Sequence, residues 1–316
     1  MKALLCDWSN FDAERARLLD GMQNTIAADP FEILTMSDFP AAQLQCARLF
    51  TADRCPAVEE PLAAVARYSH SLLRLAYISS DLRQHPVSTL TAGLFEQHDR
   101  GRFEVTAISF GPQDGSEMRT RLEKAFDRFL DVRDRSDSDV AHTMRDLEID
   151  IAIDLNGHTA HSRPGILARR PAPIQVSYLG FPGTMGAPFI DYILADRFVI
   201  PPDQEQHYSE KVAFLPDTFQ VNDAKRPFPA GRMSRADAGL PEQAFVFCSF
   251  NNSYKITPAM FDIWMWLLRQ VEGSVLWLFE GNPVAPVHLR REAERRGVAP
   301  ERLVFAPRVS LEEHLA

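Results

Sequence analysis

From Arg74 onward the chain alternates short apolar runs with amphipathic helical stretches, and this alternation constrains its fold more than any other feature. RLAYIS (74–79), FEVTAISF (103–110), DIAIDL (150–155), PIQVSYLG (173–180), DYILA (191–195) and KVAFLP (211–216) read as strands. Residues 86–97, 116–127 and 138–147 read as helices between them. Strands that are apolar along their whole length are covered on both faces, and crossover helices provide that cover in parallel sheets. A second series begins with AFVFCSF (244–250), followed by a helix from Pro258 to Val271, SVLWLFEG (274–281), a helix over 285–297 and RLVFAP (302–307). The expected fold class is α/β, with two Rossmann-like domains.

The first seventy residues look different. Phe11, Leu18, Leu19 and Met22 recur at helical spacing, and an Ala- and Leu-rich stretch from Pro61 to Leu73 reads as a further helix. Residues 1–70 are therefore expected to be a helical linker segment, and 71–216 the first Rossmann-like domain. Residues 217–243 are rich in Pro and charge with few apolar anchors, as in an interdomain linker. Residues 244–316 open the second domain. Ser310 and Glu313 are spaced as a capping box, and the sequence stops at Ala316, so this domain reads as incomplete.

The 316 residues carry a formal charge of −9, which argues against a nucleic-acid backbone binder but permits a local basic pocket. No apolar run reaches the roughly 18 residues of a membrane span. The four cysteines form no CxxC pair, so reduced thiols in a cytoplasmic protein are expected.

Four segments carry candidate chemistry, each just past a strand, where open α/β sheets bind ligands. In SSDLRQHP, His85 precedes Pro86 at a helix start; a surface histidine in a loop is the plainer alternative. In DLNGHTAH, Asp154, Asn156 and His158 crowd one tight loop, and a carboxylate beside an imidazole orients it and raises its basicity. A polar turn held by Asx hydrogen bonds is the competing reading. His158 and His161 have metal-ligand spacing, but no further ligands lie nearby in sequence. In LGFPGTMG, glycines allow backbone N–H groups to face an anion. In FCSFNNSYKITP, Asn252, Tyr254 and Lys255 precede a helix N-terminus, whose partial positive charge suits a diphosphate; a solvated lysine is the alternative.

Taken in order, SSDLRQHP, DLNGHT, RRPAPIQVSYLGFPGTMG, DYILADRFVIPP, HYSEKVAFLPDTFQVND and FCSFNNSYKITP resemble the catalytic region of the O-linked N-acetylglucosamine transferase family, which includes SPINDLY-type enzymes. The resemblance runs from about Leu4 to Ala316. It implies a GT-B architecture and inverting, metal-independent transfer of N-acetylglucosamine from UDP-N-acetylglucosamine to Ser or Thr hydroxyls of a protein or peptide. No cofactor beyond the nucleotide sugar is implied, nor any nucleic-acid or membrane partner. By position, His85, Asp154 and His158 would be catalytic. Asn156, Gly183, Thr184, Asn252, Tyr254 and Lys255 would bind substrate, with Lys255 on the diphosphate. Tyr254 before the lysine resembles the UDP-N-acetylglucosamine users; a GDP-fucose-dependent protein O-fucosyltransferase is the same-fold alternative. A non-catalytic module that binds nucleotide or peptide is the alternative from another class. Thr89 stands where the family often has a second histidine. The family's downstream His-Thr-Thr and Asp motif is not in this sequence, and its tetratricopeptide repeats would belong to a longer parent chain.

Overall fold

The computed structural model describes residues 2–23, 27–63, 68–226, 231 and 233–314, with the side chains of residues 22, 23, 311 and 312 excepted. The chain divides into two compact units, residues 18–226 and residues 1–17 with 227–316.

In the larger unit, helices α1 (Phe11–Gln23, which begins in the smaller unit), α2 (Pro30–Met36) and α3 (Pro40–Arg54) precede the sheet. Leu18 and Leu19 of α1 pack on Ile33 and Cys46. Met22, expected on the same stripe, has its side chain outside the described residues. Then follow β1 (Leu73–Ser79), α4 (Pro86–Glu96), β2 (Phe103–Ser109), α5 (Glu117–Ala125), β3 (Arg128–Asp131), α6 (Asp137–Asp146), β4 (Ile151–Asp154), α7 (Pro164–Ala168), β5 (Ile174–Ser177), β6 (Tyr192–Ala195) and β7 (Lys211–Phe214). Among the described residues these strands form one sheet in the order β3-β2-β1-β4-β5-β6-β7, and every pairing is parallel. The order reverses between β1 and β4, which is the switch point of a doubly wound sheet.

Alternate residues of β1 enter opposite cores, as the two-residue period of a strand requires. Ala76 and Ile78 pack with Ile108, Val140 and Met144 on one face; Leu75 and Tyr77 pack with Phe95, Val105 and Leu122 on the other. Helix starts follow local chemistry. Ser116 caps α5 by accepting from the Arg119 N–H at 3.1 Å, and Ser136 caps α6 by accepting from Asp139 at 3.2 Å.

In the smaller unit, β8 (Val246–Ser249), α8 (Pro258–Gln270), β9 (Val275–Phe279), α9 (Ala285–Arg295) and β10 (Leu303–Ala306) build a parallel sheet in the order β10-β9-β8. Cys6 and Trp8 complete its core with Phe261, Met265, Leu278 and Leu289. Among the described residues no helix is long and apolar enough to cross a membrane.

The structure differs from the sequence reading in four places. The segment expected as 1–70 is divided, because residues 1–17 belong to the smaller unit. No helix occupies the described part of Pro61–Leu73, and residues 64–67 lie outside the described residues. There, Leu62 and Ala63 donate to the carbonyls of Arg169 and Arg170 just after α7, so their N–H groups serve a tertiary contact. β3 is a strand that the sequence does not announce, because RFLD, at the sheet edge, is charged at both ends. The linker expected over 217–243 starts later. Phe219 and Val221 pack on the larger core, and the buried Asp223 accepts from Arg121 at 2.6 and 3.1 Å. Pro227 and Pro229, part of that expectation, lie outside the described residues.

Arg121 also bonds Glu96, at 2.7 and 3.1 Å, and Lys225 joins Glu96 at 2.7 Å. The Arg121 bond is the chief cause that pulls the Glu96 carboxyl from 4.5 to about 2. Such a lowered carboxyl stabilises the fold fully above pH 4.5, and that stability is lost as pH falls through about 2. Asp223→Ala leaves the half-buried guanidinium with one carboxylate and is expected to cost about 2 kcal/mol in urea unfolding at pH 7, the scale of a charged hydrogen bond.

Candidate active site

The loops that follow β1 and β4 meet at the switch point, and Asn156 joins them. Its Oδ1 accepts from the Ser80 N–H at 2.8 Å, and its Nδ2 donates to Ser80 Oγ at 2.9 Å and Asp81 Oδ2 at 3.1 Å. Asn156, Ser80 and Asp81 are all buried. The Asp81 carbonyl accepts from Ser88 Oγ at 2.6 Å, which fixes the first turn of α4. His85 caps that helix: its Nδ1 accepts from the Val87 N–H at 3.3 Å, with Asp81 Oδ2 3.7 Å away. Burial lowers the His85 pKa, the Asp81 charge opposes this, and Arg83 adds to it. The neutral ring, with Nδ1 accepting, carries its proton on Nε2.

Asp154 and His158 share this loop but do not form the pair expected from sequence. The Asp154 carboxylate accepts from its own turn, the Asn156 N–H at 2.9 Å and the Gly157 N–H at 3.1 Å. Burial pushes its pKa up to about 6, against those two bonds. Gly157 has φ +58, and a Cβ there would lie 2.4 Å from Phe181 Cβ, so the turn admits only glycine. His158 is turned away. Its Nε2 donates to the Met185 carbonyl at 2.8 Å, and its ring lies edge-on to Phe50 and Phe181 with centroids 5.2 and 5.3 Å away. Its Nδ1 is buried with no hydrogen-bond partner, and burial lowers the pKa of the ring.

The LGFPGTMG loop is clamped. Thr51 Oγ1 also donates to the Met185 carbonyl, at 2.9 Å. Thr184 Oγ1 donates to Glu210 at 2.6 Å and accepts from the Gly186 and Ser209 N–H groups, while Glu210 accepts from the Met185 N–H at 2.6 Å. Gly183 and Thr184 are both buried. Gly186, at φ +60, sits against the α3 backbone; a Cβ would meet Ala47 C and Arg48 N at 2.4 Å. The Thr184 hydroxyl thus shapes the loop from within, and Glu210 is a clamp that sequence reasoning missed. HYSEK gives no local sign that its glutamate turns toward residues 184 and 185.

In the smaller unit the carboxyl end of β8 runs into Asn251, Asn252 and a tight 3-10 turn, Ser253–Lys255. The Ile256 N–H donates to the Ser253 carbonyl at 3.0 Å, and Ile256 is buried, which turns Lys255 outward. The Lys255 ammonium is exposed and has no hydrogen-bond or salt-bridge partner among the described residues. Burial raises the Tyr254 pKa. Asn252 is exposed, with its Oδ1 3.4 Å from where a Cβ on Gly281, past β9, would lie. Thr257 then caps α8, accepting from Met260 at 3.3 Å, with Pro258 at the first helical position. The predicted residues therefore form two groups, His85/Asp154/Asn156/His158/Gly183/Thr184 in one unit and Asn252/Tyr254/Lys255 in the other. Among the described residues no group of three or more His, Cys, Asp or Glu could hold a metal ion.

The model of glycosyl transferase family 41 matches residues 60–233 and 230–316. The chain belongs to glycosyl transferase family 41. It is 39% identical over 248 residues to a probable UDP-N-acetylglucosamine–peptide N-acetylglucosaminyltransferase, SEC, of Arabidopsis thaliana, a match covering 77% of this chain and 25% of the plant protein. A SPINDLY protein of Petunia hybrida, described as a probable transferase of the same kind, is 32% identical over 76% of the chain and 26% of its own length. The solved structure of a Thermobaculum terrenum O-GlcNAc transferase variant superposes with a TM-score of 0.80 at 26% identity, covering 99% of this chain and 60% of that one. The fold class of this family 41 chain is α/β of the GT-B type. It spans about a quarter of the length of those plant relatives.

Asp154 provides a pH test of its burial. The folded carboxyl holds its proton to about pH 6 and the unfolded one to 3.8, so the folded chain binds more protons between these values. The Asp154 contribution to stability therefore falls as pH rises through that window. Asp154→Asn removes the titration. Its urea midpoint, relative to the parent chain, should rise from pH 4 to pH 6; a constant difference would contradict the raised pKa.

Proposed function

We propose that the chain is the donor- and acceptor-handling part of an inverting, metal-independent glycosyltransferase. It would move N-acetylglucosamine from UDP-N-acetylglucosamine to Ser or Thr hydroxyls of a protein or peptide. Family membership and the names of the plant relatives support the reaction class and the donor. The observation that carries the reading here is Lys255, an exposed cation without a hydrogen-bond or salt-bridge partner among the described residues, on a turn between β8 and the N-terminus of α8.

In this reading the acceptor oxygen attacks the anomeric carbon while the bond from that carbon to the diphosphate breaks. The diphosphate leaves with the bonding electrons, and Lys255 with the adjoining helix dipole stabilises the charge that develops on it. Asn252 and Tyr254 line the same turn. His85 contacts substrate as an Nε2–H donor, because its Nδ1 is occupied by the cap. Asp154 and His158 support the reaction indirectly: one holds the turn that aims Asn156, the other braces the loop of Gly183 and Thr184. A donor phosphate oxygen takes the acceptor proton.

A cytoplasmic setting belongs to this reading and is supported by four cysteines that stand as free thiols. A longer parent with tetratricopeptide repeats also belongs to it, in keeping with the share of the relatives' length that is matched.

The test is calorimetric titration of UDP, with GDP in parallel. UDP should bind more tightly than GDP, and Lys255→Ala should weaken UDP by about 10- to 100-fold, the value of a charged hydrogen bond to a diphosphate. Unchanged affinity in the variant would remove Lys255 from the site. Preference for GDP would move the assignment to a fucose donor, and nucleotide binding without sugar transfer would leave a binding module.

A further inference from the structure

The turn that presents Lys255 is held by a segment about 250 residues away in sequence. Residues Lys2–Trp8 cross the carboxyl end of β8 as a strap. The Leu4 carbonyl accepts from Ser253 Oγ at 2.6 Å and from Asn282 Nδ2 at 2.8 Å. The next carbonyl, Leu5, accepts from His288 Nδ1 on α9 at 2.8 Å. The Cys6 thiol returns a bond to the Ser253 carbonyl at 3.5 Å. Ser253 is therefore gripped from both its side chain and its backbone, two residues before Lys255, and both Ser253 and Cys6 are buried.

Two features show that the strap is fixed in place. Cys6 has a left-handed backbone, φ 50, which a non-glycine residue adopts only where surrounding contacts enforce it. Trp8 anchors the far end by packing on Phe261 with centroids 5.3 Å apart, and Arg296 lies over both rings. Burial drives the thiol pKa to about 12, so Cys6 remains a neutral donor across the physiological range. The Leu4 and Leu5 carbonyls and the Cys6 thiol close on the turn and on the elements after β9, and Lys2 at the other end of the strap donates to Glu14 on α1.

We propose that the segment Lys2–Trp8 is a positioning strap, and that Ser253 is the positioning residue through which it sets the Lys255 turn for a nucleoside diphosphate. The proposal rests on the reading of Lys255 given above. It assigns the first residues of the chain to the nucleotide-binding half of the protein, where they act through Ser253 and Asn282 without touching substrate. A preset turn keeps the ammonium at the diphosphate without an ordering cost at each binding event. The recognition it serves is selective for a second phosphate.

The experiment compares UDP and UMP on the full chain by calorimetry and follows amide hydrogen exchange at residues 252–256. The variants are Ser253→Ala, Trp8→Ala and Lys255→Ala. Lys255→Ala should abolish the preference for UDP over UMP. Ser253→Ala should reduce UDP affinity about fivefold, the equivalent of one net hydrogen bond, leave UMP unchanged and speed exchange in the turn. Trp8→Ala, which lies away from the turn, should give the same signature through the strap. If Lys255→Ala removes the preference while Ser253→Ala keeps it, the strap proposal falls and the diphosphate reading stands. If UDP and UMP weaken equally in Ser253→Ala, the serine is merely structural and the proposal falls. If the parent chain shows no preference, or Lys255→Ala retains it, the diphosphate reading falls and the proposal with it. Ser253→Ala decides the matter should Trp8→Ala fail to fold.

Discussion

The larger unit depends on one buried amide. Asn156 lies where the strand order reverses, so the loops after β1 and β4 diverge to opposite sides of the sheet. The amide satisfies Ser80 from both directions and reaches Asp81. Asp81 then holds Ser88 on α4, and α4 begins at His85. The orientation of the histidine at the switch point is thus fixed by a residue 71 positions further along the chain, within a buried network. Low local dielectric strengthens each bond in such a network and makes each missing partner expensive.

The two units treat their polar groups differently. In the larger one, Asp154, His158, Thr184 and Glu210 are consumed in shaping loops, and their chemistry faces inward. In the smaller one, packing turns the Lys255 cation outward. Ile256 is buried on one side of Lys255 and Ser253 on the other, which leaves the intervening side chains little choice of direction. A charge held in place before a ligand arrives needs no reorganisation when the charge of the leaving group develops.

The parallel strands were legible because each is a run of apolar residues bounded by turn chemistry, and the Pro-led helix starts were legible for the same local reasons. RFLD was not, since an edge strand needs no apolar face. The described part of Pro61–Leu73 is not helical because Ala and Leu favour a helix only when nothing else takes the backbone N–H groups, and at Leu62 and Ala63 the carbonyls just after α7 do. Asp223 looked like linker because charge reads as solvent, yet two bonds from Arg121 hold it in the larger unit. The role of residues 2–8 is invisible to any local rule. Its partners, Ser253, Asn282 and His288, lie at the opposite end of the sequence.

The site residues make the same point more sharply. Asp, Asn and His in one loop are the right types for acid–base work, and sequence reasoning correctly gathered them at one strand end. What separates a reacting imidazole from a structural one is which nitrogen is already committed. Both His85 and His158 hold Nδ1 without a proton, one because Val87 donates to it and the other because the Met185 carbonyl claims the hydrogen on Nε2. Each ring is therefore a donor at Nε2 while neutral, and burial favours the neutral form of both. Their difference is in what that donor can reach. His158 spends it on a backbone carbonyl, whereas the Nε2–H of His85 has no hydrogen-bond partner among the described residues, which is why the proposed function gives substrate contact to that ring.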